Sequence, residues 1–427
     1  MSDLSYYKRL APFTQKQCEY LNRVKDSWFN VCEGSKRAGK NILQVYAFCR
    51  ELENHPDKIH LVAGVSSGSA GLNIIDCNDF GIKDYFAKRC KRGKFENRPC
   101  LYVSTDTGEK IILISGGNNK RSKDYIRGNS YGLAYITEAN LCEKTFVQEV
   151  FDRTIASKNR KIFHDLNPLN DGHFYYTDIL NYHKKKQEEN SDYGFNYGHF
   201  VLSDNMSLSD DKLREILNTY QKGTLWYSRD ISGERRNADG LIYENFNRSI
   251  HVVPTINRNY LPNKYIISCD MGVYNPTAWG LWGVCNENGK NVHYLIKEYF
   301  HDGRKDGQKS DEQYFQDLLK FTDGYKIQYV IVDPSAATFL TAIHRKFQGI
   351  KADNKVLEGI KNVTTCLYNG LIKINECCEN TIREFESYSW DTDIIDEDVP
   401  IKENDHMMDS CRYYCQTMKI AQLHAMR

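Results

Sequence analysis

Gly34-Ser35-Lys36-Arg37-Ala38-Gly39-Lys40-Asn41 is the stretch from which the fold is read. A short apolar run, Trp28-Phe29-Asn30-Val31-Cys32, precedes it, and an amphipathic stretch from Ile42 to Arg50 follows. Strand, glycine-bounded loop and helix form the context that a phosphate-binding P-loop requires. The glycines let several backbone N–H groups turn toward one anion, the helix N-terminus adds positive dipole, and Lys40 can neutralise phosphate charge. One position departs from the usual pattern. A Ser or Thr hydroxyl normally serves Mg²⁺ at the end of the loop, and here Asn41 stands instead.

Upstream, Thr14-Gln15-Lys16-Gln17 opens a helical pattern with Cys18, Leu21 and Val24 on one face. Gln15 can present its amide to an adenine edge, or it is a solvated helix residue. Downstream, Lys58–Val65 reads as a buried strand, with a helix near Ala70–Asp76. Two further strands, Cys100–Ser104 and Lys110–Ser115, are joined by a polar turn. Apolar strands alternating with helical segments predict an α/β sheet, largely parallel. Gly132-Leu133-Ala134-Tyr135-Ile136-Thr137-Glu138 is an apolar strand ending in an acid. It lies where a P-loop ATPase carries its water-activating carboxylate, although Glu138 can also be a plain strand-end surface acid. Thr137 fills the place of the usual Asp. Arg127, in a Gly-bounded turn within the basic run Lys120–Arg127, can reach a γ-phosphate in cis or across a subunit boundary, and Arg37 competes for that role. The run itself reads equally as a solvated face. Arg160–Asp165 predicts another strand, leading into Leu166-Asn167-Pro168, where Asn167 either senses phosphate or only makes the turn.

The bulk numbers set the frame. At 427 residues the chain exceeds one ordinary core, so two domains are expected. The net charge of +1 excludes a uniformly basic coat but leaves room for a basic channel balanced by acidic surface. Fourteen cysteines are scattered without a CxxC pair, which favours reduced, mostly buried thiols over disulfides or zinc. Met1–Ser5 lacks a signal peptide's apolar core, and no apolar run approaches the ~20 residues needed to span a bilayer. An intracellular, soluble protein with no membrane association is expected.

Ser209–Tyr220 predicts a capped helix with Leu213, Ile216 and Leu217 as its buried stripe. The polar, Gly-bounded segment from Ile231 to Gly240 predicts the interdomain linker. The expected division is 1–232, a linker over 233–256, and 257–427. In the last part Lys264–Asp270 is an apolar strand delivering Asp270, and Pro276–Val284 and Val292–Tyr299 supply two more strands by short turns. This pattern fits the opening of an RNase H-like fold. Gln328–Asp333 is a second apolar strand ending in Asp, with a helix expected over Ala336–Phe347. Near the C-terminus, Asp405 and Asp409 lie one helical turn apart, with His406 three residues before Asp409. Asp405 can equally be the helix N-cap, and a lone strand-end Asp is commonly structural. Asp270, Asp333 and Asp409 together can hold two divalent ions ~4 Å apart that activate water and stabilise a phosphodiester's leaving oxygen. Hard oxygen ligands favour Mg²⁺ or Mn²⁺.

With these motifs in this order, a P-loop ATPase joined to an RNase H-like nuclease, the chain resembles the large terminase subunit, the DNA-packaging motor of tailed bacteriophages and related prophages. The resemblance runs through Gln15, the P-loop, Tyr135–Glu138, Asp165-Leu166-Asn167-Pro168, Asp270, Asp333 and His406/Asp409. Ser268–Gly272 with Asn275–Ala278, and Asn404-Asp405-His406 with Asp409 and Arg412-Tyr413, look like that family's nuclease signatures. It implies an ASCE-type ATPase domain with a mostly parallel sheet and a helical subdomain, followed by the nuclease. ATP would be bound over Gly34–Asn41 with Mg²⁺, Lys40 contacting the β and γ phosphates. Glu138 would activate water, Arg127 would be the trans-acting arginine, and Asn167 would couple hydrolysis to motion. Two Mg²⁺ or Mn²⁺ ions would be held by Asp270, Asp333 and Asp409, with His406 as ligand or general base. Implied partners are double-stranded DNA, a portal protein, a small terminase subunit and further copies in a pentameric ring on the procapsid. The isolated chain would be monomeric in the host cytoplasm, and none would remain in the mature virion. The double departure at Asn41 and Thr137 implies loosely held Mg²⁺ and slow hydrolysis until ring neighbours and DNA complete the site. A standalone ATP-dependent nuclease or helicase would need further helicase motifs after Asn167, and none is seen. A portal-binding component with a decayed ATP site is the alternative of another class.

Overall fold

The computed structural model describes residues 4–254, 264–272, 275–394 and 396–425. The chain forms two compact units. The first takes in residues up to Leu217 together with Lys222–Asn237 and the short segment 395–397, and the second takes in Asn218–Gln221, Ala238–Ile394 and the chain from Asp398 onward. Residues 233–237 of the expected linker thus fold with the first unit and 238–254 with the second. Residues 255–256, the opening 257–263 of the last expected domain, and Met1–Asp3 lie outside the described residues.

The first unit is built on eight strands: β1 (Phe29–Gly34), β2 (Ile59–Gly64), β3 (Cys90–Phe95), β4 (Arg98–Thr105), β5 (Gly108–Gly116), β6 (Leu133–Ile136), β7 (Lys161–Leu166) and β8 (Phe195–Phe200). Their order is β3-β4-β5-β2-β6-β7-β1-β8. All neighbours from β5 to β8 are parallel, and only the β3–β4–β5 edge is antiparallel. Helices cover both faces, so the central strands are apolar almost throughout. Val62, Ile112 and Ile114 pack with Leu43, Phe48 and Leu52 of the helix Lys40–Glu53. Their strand neighbours Leu61, Ala63, Ile111 and Leu113 point the other way and pack with Phe146, Val147 and Val150 of the helix Lys144–Thr154. The P-loop strand β1 and the strand β6 that ends before Glu138 are separated by β7 alone.

The second unit holds β9 (Val252–Val253), β10 (Tyr265–Asp270), β11 (Thr277–Glu287), β12 (Lys290–His301), β13 (Ile327–Val332), β14 (Gly349–Lys351) and β15 (Ile372–Asn375), in the order β14-β13-β10-β11-β12-β15-β9. The strands β10, β11 and β12 are antiparallel neighbours joined in sequence, and β13 returns parallel to β10 on its other side. The helix His406–Thr417 lies against β10. The Ser410 hydroxyl donates to the Ser268 carbonyl at 3.0 Å, and Tyr414 stacks on Trp282 at 4.2 Å between ring centroids.

The fold is thus mixed α/β with mostly parallel pairing in the first sheet. The predicted helix after Ser209 runs over Asp210–Asn218, but Leu213, Ile216 and Leu217 are half-buried rather than buried. All fourteen cysteines are free thiols, most of them buried. Among the described residues no helix is long and apolar enough to cross a membrane.

Candidate functional site

The loop Gly34–Asn41 wraps as its glycines predict. Gly34 has φ 144°, and a Cβ there would fall 1.7 Å from the Phe200 carbonyl oxygen of β8, so only glycine fits. Gly39, at φ 79°, turns the chain into the helix that starts at Lys40. The Lys40 ammonium donates to the carbonyls of Gly34 (3.0 Å) and Ser35 (2.6 Å) and to Asn167 Oδ1 (3.0 Å). Burial pushes it down to about 8. The loop opens on a cavity of about 680 Å³ that is also lined by Glu138, Asp165 and Asn167.

Glu138 follows β6 with φ 51°, a left-handed conformation that is rare outside glycine. The turn brings its half-buried side chain to the cavity, where burial and then the charge of Asp165 push its carboxyl up, against Lys36 and Lys40. Asp165, near the end of β7, is 5% exposed. Its Oδ2 accepts from the Tyr135 hydroxyl (2.5 Å) and the Asn41 amide (3.4 Å); its Oδ1 accepts from the Thr137 hydroxyl and the Glu138 backbone N–H, both at 3.3 Å. The Asn140 amide donates to the Asn167 carbonyl at 2.7 Å, tying the Glu138 turn to the residue that accepts from Lys40.

Behind the loop, Glu33 is 1% exposed and receives both Nε (2.8 Å) and Nη2 (2.7 Å) of Arg235, whose guanidinium lies 4.0 Å over the Tyr176 ring. Burial alone would raise the Glu33 carboxyl, yet Arg235 and the Tyr197 hydroxyl hold it below its ordinary range. Losing one partner of such a pair strands a buried charge. Arg235→Met is expected to destabilise the protein by about 3–5 kcal/mol in urea unfolding, with much of the loss recovered in Glu33→Gln/Arg235→Met. An unchanged midpoint in the single variant would show that water already reaches Glu33.

In the second unit, Asp270 ends β10 and Asp333 follows β13, its N–H donating to the Cys269 carbonyl at 3.2 Å, so the two acids stand side by side on adjacent parallel strands. The helix His406–Thr417 supplies Asp409 and His406. Asp405 precedes this helix without capping it by its side chain; the buried Glu384 does so instead, accepting from the N–H groups of Met407 (2.7 Å) and Met408 (3.2 Å). Among the described residues, no three His, Cys, Asp or Glu side chains are grouped as ligands around one ion. The physical reason is that each expected ligand carboxylate is turned onto a neighbour on this helix. Asp270 meets His406 Nδ1 (3.0 Å), Asp333 accepts from the Tyr413 hydroxyl (2.8 Å), and Asp409 accepts from Arg412 Nη2 (2.7 Å). The acids nevertheless feel one another. Burial, then Asp409 and Asp333, push the Asp270 carboxyl up to about 6 against the pull of His406. Burial opposes a charged His406, but Asp270 raises it on balance. Carboxylates that act on one another in a poorly solvated place, though turned onto separate partners here, are of the ligand type a hard divalent cation takes.

Gln15 does not reach the cavity. It is exposed and donates to Glu19 at 2.9 Å, whereas Gln17 is buried with its amide nitrogen beside Gly39. Arg127 also stands away from the cavity, paired with Asp124 (2.8 Å) and Glu149 (3.2 Å). Lys36 and Arg37 line the cavity, with Lys36 paired to Asp230 at 3.1 Å. Asp165 is visible in the Asp-Leu-Asn-Pro run but carries no sequence signal for a role at the loop. A larger cavity of about 760 Å³ beside Trp28, Arg50 and Arg160 contains none of these groups.

Residues 31–266 match the family described as Terminase large subunit, T4likevirus-type, N-terminal. No curated protein matches the chain. Among solved structures, the large terminase from a thermophilic bacteriophage is similar over nearly the whole length. One crystal form is 34% identical with a TM-score of 0.82, covering 96% of this chain and 99% of that one. The same phage protein in complex with ADP is 33% identical with a TM-score of 0.79, covering 96% and 100%. Its complex with ATP-gamma-S is 33% identical with a TM-score of 0.78, covering 95% and 98%.

Proposed function

Because the chain belongs to the large terminase subunit family, we propose that it is a viral DNA-packaging motor. ATP hydrolysis in the first domain drives double-stranded DNA into the procapsid, and the second domain is a metal-dependent endonuclease that cuts concatemers at initiation and termination. The observation that carries this reading is the meeting of Lys40 and Glu138 at one cavity, one following β1 and the other β6, strands separated by β7 alone. The binding of ADP and ATP-gamma-S by the thermophilic phage relative supports the choice of nucleotide. The proposed domains are an ATPase with helical subdomain over 1–232, a linker over 233–256 and a nuclease over 257–427. The strand order β14-β13-β10-β11-β12 supports an RNase H-like reading of the last.

In the ATPase, the loop amides and Lys40 bind the β and γ phosphates and Glu138 takes the proton of the attacking water. Its raised carboxyl makes it a stronger base. Asn167 accepts from Lys40 and, through Asn140, connects phosphate contact to the Glu138 turn. Arg127, half-exposed and away from its own cavity, is suited to a neighbouring subunit's site. In this reading the active form is a ring of copies, a pentamer on the portal protein, with a small terminase subunit for DNA-site recognition, in the host cytoplasm. In the nuclease, Asp270, Asp333 and Asp409 would hold two Mg²⁺ or Mn²⁺ ions, which activate water and stabilise the leaving oxygen when bound. His406 orients Asp270 and can serve as auxiliary ligand.

The test is one purified preparation assayed for DNA-stimulated ATP hydrolysis and for Mn²⁺-dependent cleavage of plasmid DNA; absence of both sinks the reading. Lys40 adds a pH signature. Phosphate favours its charged form, so nucleotide binding raises it from about 8. Affinity should be full below pH 8 and fall about tenfold per unit above it, with about half a proton taken up per ADP at pH 8. Calorimetry in buffers of different ionisation enthalpy reads both, and proton release on binding would contradict this assignment.

A further inference from the structure

We infer that Asp165 is the carboxylate of the Mg²⁺–nucleotide site, its place moved from the end of β6 to the end of β7. The inference rests on the nucleotide reading of the P-loop cavity and adds a residue to it. The two positions where a Mg²⁺-shell group would be expected carry Asn41 and Thr137, and both side chains donate to this one carboxylate, at 3.4 and 3.3 Å. Asp165 is level with Cys32 of β1, one strand nearer the loop than Thr137 is. It lines the same cavity as Lys40 and Glu138.

A purely structural role accounts for less. The four donors to Asp165 are a tyrosine hydroxyl, a threonine hydroxyl, an amide and a backbone N–H, all neutral. An asparagine oxygen would meet two of them, and a pair of neutral acceptors all four, without burying a charge, which is costly when no cation answers it. The cation that acts on it is Lys40, and Lys40 donates to Gly34, Ser35 and Asn167 rather than to Asp165. A cavity that takes polyphosphate would moreover set that anion against both Asp165 and Glu138, a repulsion that a divalent ion resolves. Mg²⁺ keeps most of its waters and asks the protein for only one or two carboxylates beside the phosphates. The donors Tyr135, Thr137 and Asn41 hold this carboxylate in one orientation, as an outer shell does for a metal ligand.

The test is calorimetric titration of the full chain with ATP-gamma-S in Mg²⁺ and in EDTA. The wild type is expected to bind at least about tenfold tighter with Mg²⁺. Asp165→Asn is expected to keep the EDTA affinity and lose that enhancement. A variant that keeps the enhancement, or that loses the EDTA affinity as well, overturns the inference. Exchanging the two side chains, Thr137→Asp with Asp165→Thr, guards against a folding defect in the single variant. Recovery of the enhancement supports the relocation, and a folded exchange variant that binds nucleotide without it overturns it. No binding by the wild type in either condition would instead remove the nucleotide reading beneath it.

Discussion

Glu138→Gln is expected to lower DNA-stimulated ATP hydrolysis by about a thousandfold, within the 10²–10⁴ range of a general base, while Mn²⁺-dependent plasmid cleavage stays at its wild-type rate. The amide keeps the shape of the side chain, and the Glu138 backbone N–H that donates to Asp165 is untouched. What is removed is a carboxylate that burial and Asp165 have made more basic. Affinity for ATP-gamma-S should therefore change by less than about threefold, because the loop amides and Lys40 do the binding. Equal loss of hydrolysis and cutting would contradict two independent sites. Unchanged hydrolysis would return Glu138 to the role of a surface acid at a strand end.

The second large effect is expected from Asp270→Asn. Cleavage of plasmid DNA in Mn²⁺ should fall at least about a thousandfold, equivalent to several kcal/mol of transition-state stabilisation, with ATP hydrolysis unchanged. Asp270 stands at the centre of the acidic group: it is buried, ends β10, sits beside Asp333 and receives His406. Asparagine retains an oxygen for His406 but removes the charge that a divalent ion would need. Cleavage surviving the change would sink the nuclease assignment. A complementary measurement is thermal unfolding with Mn²⁺: the wild type should gain stability from the ion and Asp270→Asn should gain much less.

The contrast between the two sites explains what can be read in advance. The P-loop is local. Gly34, Gly39 and Lys40 lie within seven residues, and their function depends on backbone turns and a helix start that short-range chemistry specifies. The strand ends carrying Glu138, Asp270 and Asp333 are equally legible, because a buried parallel strand is a run of apolar residues and its polar end is conspicuous. The edge strands are less so. Cys90–Phe95 is largely exposed, and Gly349–Lys351 and Val252–Val253 are two or three residues long, so neither hydrophobic period nor length distinguishes them.

Side-chain partners are not legible at all. Gln15 and Gln17 are two positions apart on one helix, so that one faces Glu19 in solvent and the other lies buried beside Gly39. Arg412 and Tyr413 stand in a run that resembles a family signature, but only the packed helix shows that they hold Asp409 and Asp333. Glu384, twenty-three residues before the Met407 N–H that it accepts from, replaces the cap that Asp405 is positioned to provide.

Hydrophobic period, glycine placement and chain order suffice for the α/β class, the order of the two modules and the residues at each strand end. What surrounds the P-loop comes from the folded sheet instead. Asn41 and Thr137 look in sequence like two losses, ninety-six positions apart. Sheet order sets β7 between β1, which leads into the loop and Asn41, and β6, which leads to Thr137, so that both side chains reach Asp165. Strand adjacency is a long-range property of the assembled sheet, and no local pattern carries it.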